Sequence, residues 1–80
     1  MDTAEVFVRL RDILADVLEA NPAAVTMETN IVDDLGADSL DIVEIITGLE
    51  EEFDLTITDE SVQNLYTAGE IAEYIANLLT

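Results

Sequence analysis

The chain has 80 residues, nineteen of them acidic and two basic, for a formal net charge of -17; half of its residues are apolar, and it has no cysteine or histidine. That length suits one small core, and so large an apolar share excludes intrinsic disorder. The composition also excludes a disulfide framework, a thiolate zinc site and nucleic-acid binding, which needs clustered Lys and Arg where this chain has only Arg9 and Arg11.

From Val6 the apolar positions Val6, Leu10, Ile13, Leu14, Val17 and Leu18 recur at three- and four-residue steps, which predicts an amphipathic first helix. Asp2 or Thr3 caps its start, with Glu5 at capping-box spacing from Asp2, and Asn21-Pro22 closes it because proline disfavours helix in the residue before it. A long loop over residues 22–38 follows, with Val25, Ile31, Val32 and Leu35 available to pin it to the core. Loops of this length are often functional.

A second helix is predicted from Asp38, a favoured N-cap residue, to about Phe53, with Asp41 in its first turn where the helix dipole favours negative charge. At helical spacing Ile42, Ile45, Ile46, Leu49 and Phe53 form the core stripe. Leu40, Val43, Glu44, Thr47 and Glu51 fall opposite, so two apolar side chains stand exposed among acids; this is either a docking surface or ordinary scattered apolar exposure. Asp59 or Ser61 caps a short third helix through Leu65. Thr67-Ala68-Gly69-Glu70 is a capping box leading into Ile71, Tyr74, Ile75, Leu78 and Leu79, a last helix. Leu55-Thr56-Ile57-Thr58 alternates like a strand but has nothing to pair with. The expected fold is all-α: a small four-helix bundle of three main helices and one short one, with a long first loop, forming a single domain over residues 1–80.

The missing residue types bound the chemistry. Without histidine, lysine or cysteine the chain cannot assemble a Ser-His-Asp, Cys-His or Ser-Lys arrangement. Paired carboxylates are abundant, but a bundle this small leaves little room for a substrate cleft, so a non-enzymatic role is expected. Asp33, Asp34, Asp38 and the Glu50-Glu51-Glu52…Asp54 group lack the spacing of a calcium loop and read as a solvated acidic face, with no metal site expected. The strongly negative field calls for basic protein surfaces as partners and pushes the folded chain apart at low salt, so salt or divalent cations should stabilise it. Residues 1–11 hold no basic leader, and no apolar run reaches membrane-spanning length; a soluble, unprocessed, cytoplasmic protein is expected.

One feature remains, Asp33-Asp34-Leu35-Gly36-Ala37-Asp38-Ser39-Leu40-Asp41. A serine at a helix start is by itself ordinarily a cap. Here it has no general base in its own chain and sits beside the exposed Leu40 and Val43 on an acidic surface, which suits a serine modified by a visiting enzyme.

The run Asp34-Leu35-Gly36-Ala37-Asp38-Ser39-Leu40-Asp41 resembles the phosphopantetheine attachment motif of acyl carrier proteins. The likeness continues through Val43-Glu44, Leu49-Glu50-Glu51-Glu52-Phe53-Asp54, Ile57, Asp59-Glu60, Thr67, Gly69 and Tyr74-Ile75, and so spans nearly the whole chain. It implies that Ser39 receives 4′-phosphopantetheine from coenzyme A through a magnesium-dependent phosphopantetheinyl transferase, and that this prosthetic arm supplies the thiol that the chain lacks. Asp38 is implied to contact the transferase and its magnesium as well as to cap the helix. Leu40, Asp41, Val43, Glu44, Thr47, Glu50 and Glu51 are implied to meet basic partner enzymes, and Ile45, Ile46, Leu49 and Ile71 to shelter the acyl chain.

The chain departs from the family pattern at Thr58, Asn64 and Ala68 and in lacking lysines in its first helix, which bears on the third helix, the acyl cavity and the partners. Gly36-Ala37-Asp38 is more similar to fatty-acid or polyketide carriers than to peptidyl carriers. The resemblance implies a discrete, monomeric carrier of acyl thioesters in fatty-acid or related acyl-chain synthesis, or a specialised carrier for a polyketide or accessory lipid pathway. An acidic interaction module that mimics nucleic acid, or a divalent-ion buffer, would account for the charge and not for the serine motif.

Overall fold

In a computed structural model that describes residues 1–58 and 64–79, the first helix, α1, spans Thr3–Leu18. Asp2 is its cap, accepting a hydrogen bond from the backbone N–H of Glu5 at 2.9 Å. The helix stops before Asn21-Pro22: Glu19 turns left-handed (φ 54°), and the N–H groups of Glu19 and Ala20 both reach back to the Ala15 carbonyl. This closure satisfies a carbonyl of the last helical turn. Pro22 therefore opens the next element, a 3-10 turn over Pro22–Ala24 capped by Asn21.

The second helix, α2, spans Ser39–Phe53 and ends in the same manner, with Asp54 left-handed (φ 52°) and Leu55 N–H on the Glu50 carbonyl. The last helix, α3, spans Ala68–Leu78 and starts at the Thr67 capping box. Among the described residues the fold is all-α, with no pairing of extended chain beyond an isolated bridge between Asn30 and Thr67. The short helix expected from Asp59 or Ser61 to Leu65 rests mainly on residues 59–63, outside the described residues.

Helix α1 is the shared spine: it packs along both α2 and α3, whereas those two approach each other much less closely. Val6, Leu10 and Leu14 of α1 are fully buried, against Ile45, Ile46, Leu49 and Phe53 of α2 and Ile71 and Ile75 of α3 in one core. A stripe unremarked in the sequence, Ala68, Ala72 and Ala76, is also buried. Its small side chains leave room for close packing on that side of α3. Leu78, at helical spacing from the buried Ile71 and Ile75 but the last residue of α3, is 45% exposed.

The long loop is pinned by Val25 and Ile31, both buried, while Val32 is 41% exposed where burial was expected. Adjacent loop residues Ile31 and Val32 diverge because the backbone there is committed to a turn. Asn30 Oδ1 accepts from the N–H of Val32 and of Asp33, and Asp34 Oδ2 accepts from Asn30 N–H. Three further backbone bonds stitch the loop to the start of α3: Ile31 N–H to Tyr66 O, Ala68 N–H to Thr29 O, and Gly69 N–H to Met27 O at 2.8 Å. That last approach requires glycine, since a Cβ at Gly69 would stand 2.7 Å from the Met27 carbonyl oxygen.

The capping box of α3 carries a charge. Glu70 accepts from the backbone and hydroxyl of Thr67, each at 3.1 Å, and more distantly from Tyr66 N–H. These bonds, the Thr67 backbone bond first, hold its carboxyl below the ordinary glutamate range. A carboxylate with a lowered folded-state pKa stabilises the fold above its unfolded pKa and loses that contribution as pH falls through the folded value. Glu70→Gln is thus expected to be less stable than the wild type at neutral pH, the gap closing as the solution is acidified. Urea midpoints measured on both proteins at pH 7 and pH 3 check this.

Candidate functional site

Ser39 occupies the first helical position of α2, immediately after the cap. Asp38 is extended there and Asp41 lies one turn in; Asp38 Oδ1 accepts from Asp41 N–H at 2.9 Å, and Asp41 Oδ2 accepts from Asp38 N–H at 3.2 Å. This reciprocal box fixes the corner on both sides of the serine. The approach is equally set: Gly36 takes a left-handed turn (φ 71°), Gly36 N–H bonds to Val32 O, and the buried Ala37 bonds to Ile31 O. The serine side chain is consequently exposed on an ordered corner, and none of the hydrogen bonds among the described residues involves its hydroxyl.

Leu40 and Val43 are 71% and 55% exposed, and Glu44, Thr47 and Glu51 are exposed on the same side of α2. Two further acids assigned to this face have occupations within the chain. Asp41 is half of the capping box, and Glu50 Oε2 accepts from the backbone N–H of Ile57 at 2.8 Å, tying the segment after α2 back to that helix. The capping partnership was readable from spacing; the Glu50 bond spans seven residues and was not.

Between α2 and α3 lies a small, almost wholly apolar cavity of about 30 Å³. Ile45, Ile46, Leu49 and Ile71 line it, joined by Ile31, Ile42 and Leu65. Of the three additions, Ile42 shares the stripe of Ile45, Ile46 and Leu49 and was visible in that periodicity. Ile31 and Leu65 come from irregular chain and are placed only by the tertiary fold.

Among the described residues no group of three or more carboxylates is gathered as a metal ion would require, and no helix is long and apolar enough to cross a membrane.

A family model for phosphopantetheine attachment sites matches residues 8–75, most of the chain and both sides of Ser39. The chain belongs to the acyl carrier protein family. It is 51% identical to an acyl carrier protein of Clostridium perfringens over 69 residues, covering 86% of this chain and 91% of that one. An acyl carrier protein of Syntrophobacter fumaroxidans is 46% identical over 76 residues, with 95% and 94% covered. The solution structure of a candidate acyl carrier protein from Anaplasma phagocytophilum superposes with a TM-score of 0.87 at 34% identity, covering all of this chain and 94% of that one. A Mycobacterium tuberculosis chain of the same description gives 0.78 at 31% identity, with 92% and 96% covered.

The family is one of carriers rather than catalysts, and its cofactor is 4′-phosphopantetheine. The residues present suit that group. A single exposed hydroxyl stands on a fixed helix corner, unencumbered by bonds within the chain, where an enzyme can reach it.

Proposed function

We propose that Ser39 Oγ is the attachment point of 4′-phosphopantetheine, and that the chain carries acyl intermediates on it as thioesters in fatty-acid or related acyl-chain synthesis. The observation that carries this reading is the exposed Ser39 hydroxyl held at the capped corner of α2, inside the residues matched by the attachment-site family. In loading, Ser39 Oγ bonds to the phosphorus that joins pantetheine to the nucleotide in coenzyme A, and the P–O bond to the departing adenosine 3′,5′-bisphosphate breaks. The hydroxyl proton passes to a base of the phosphopantetheinyl transferase, because the chain has no histidine and the Asp38 and Asp41 carboxylates are engaged in the capping box. The bound arm supplies the thiol for the acyl thioester.

The remaining residues take supporting parts. Asp38 both caps α2 and presents negative charge to the transferase and its magnesium. Leu40 and Val43, ringed by Glu44 and Glu51, offer basic enzymes a small apolar contact inside a charged rim, an arrangement that favours fast, reversible docking. The cavity between α2 and α3 shelters the start of the acyl chain. At about 30 Å³ it holds no more than a few water molecules, so an acyl chain enters by parting α2 from α3, the least closely packed pair among the described helices. A monomer of one domain, free in the cytoplasm and meeting its enzymes in turn, is the working form.

The test is to load the protein with coenzyme A and a phosphopantetheinyl transferase, acylate it, and treat it with neutral hydroxylamine. Release of the acyl group with retention of the arm supports a thioester carrier; an acyl group that resists hydroxylamine overturns it.

A further inference from the structure

Beside the corner that bears Ser39 lies a groove lined by Asn30, Val32, Asp33 and Tyr66. Tyr66 is 51% exposed and Val32 41%, and neither belongs to α2, the helix that bears Leu40 and Val43. The groove is built from two distant segments that are locked together. Tyr66 O accepts from Ile31 N–H at 2.9 Å, the Asn30–Thr67 bridge flanks that bond, and Asn30 Oδ1 holds the N–H groups of Val32 and Asp33 at 2.9 and 2.8 Å. An aromatic and a branched aliphatic side chain are thereby held exposed on rigid backbone.

Its charge says what fits. Asp33 lines the groove and Glu28 and Asp34 are exposed on the same loop, while the two cations of the chain lie elsewhere: Arg9 pairs with Glu52 at 3.0 Å and Arg11 lies over the Phe7 ring. No hydrogen bond or ion pair among the described residues engages the Asp33 carboxylate. A carboxylate beside an exposed phenol ring and an aliphatic wall matches an arginine, whose plane stacks on the ring, whose stem covers the valine and whose fork pairs with the acid.

Its position says which partner. Val32 O holds Gly36 N–H and Ile31 O holds Ala37 N–H, so the groove wall is one hydrogen bond from the residues leading into Ser39. Enzymes that act on cargo need only reach the end of an extended arm, whereas the loading enzyme must bring its active site to Ser39 Oγ itself. It must therefore cover the chain around that corner.

We infer that the Val32–Asp33–Tyr66 groove is a second docking surface, apart from α2, that receives an arginine of the phosphopantetheinyl transferase. This rests on Ser39 being the loading site.

The test is steady-state loading by a phosphopantetheinyl transferase with apo protein as the varied substrate, for the wild type, Tyr66→Ala, Asp33→Asn and, as a remote control on α3, Leu78→Ala, with far-UV circular dichroism confirming the fold of each. Tyr66→Ala and Asp33→Asn are expected to raise KM about tenfold, the scale of losing one interface anchor, with kcat held within twofold and the control unchanged. Unchanged KM in both variants overturns the inference, as does a fall in kcat without a rise in KM, which would mean a disturbed serine corner. A wild type that is not loaded at all overturns the Ser39 reading itself, and the inference with it.

Discussion

Leu10→Ala is expected to leave the chain largely unfolded at neutral pH in low-salt buffer and to regain helix as salt is added. Leu10 is fully buried on α1, the helix that packs against both others, so its truncation leaves a cavity where neither α2 nor α3 can close in alone. Such changes cost about 3 to 5 kcal/mol. An 80-residue domain has only about 4 to 12 kcal/mol in total. The net charge of -17 draws on that margin, and the exposed Arg9–Glu52 pair returns little of it. Screening at about 0.1 M salt confines the repulsion to about 10 Å, which is shorter than the protein's long axis of 29 Å. Helix content followed by circular dichroism against salt, for wild type and variant, checks this; a variant within 0.5 kcal/mol of the wild type, a threshold of roughly a surface substitution, would contradict the packing described.

Much of the fold was legible because its helices announce themselves at their ends. Asp2, Asp38 and Thr67 each stand where a cap is required, and each is followed by apolar residues at helical spacing. The C-terminal ends were less readable. Glu19 and Asp54 adopt left-handed conformations usually signalled by glycine, so α1 stops two residues before the Asn21-Pro22 pair that seemed to close it. The alanine stripe of α3 was overlooked because small residues carry little hydrophobic signal, although Ala68 and Ala72 are among the most buried positions. That Val32 and Leu78 are exposed was not readable, because a loop turn and the last residue of a helix show their facing only through tertiary contacts.

At the candidate site the motif around Ser39 drew the candidate serine, the cap and the exposed face together in one stretch of sequence, since all three lie on one helix and its approach. The groove of Asn30, Val32, Asp33 and Tyr66 was invisible. Its two walls lie more than thirty residues apart and are joined by backbone hydrogen bonds, which no side-chain pattern encodes. The cavity was half visible for the same reason: Ile42, Ile45, Ile46 and Leu49 share a stripe, while Ile31 and Leu65 join it from irregular chain.

Ser39→Ala is expected to abolish loading altogether while leaving the fold intact. The capping box of α2 is made by Asp38 and Asp41, and the Ser39 hydroxyl takes no part in it, so its loss removes the acceptor atom and leaves the corner standing. Alanine also suits the first helical turn, so any stability change should stay below about 0.5 kcal/mol. The measurement is intact mass after incubation with coenzyme A, magnesium and a phosphopantetheinyl transferase, run on apo wild type and on folded Ser39→Ala side by side. A gain of one phosphopantetheine on the wild type and none on the variant is the predicted result; an equal gain on both, or none on a folded wild type, would contradict the assignment of Ser39 as the attachment site.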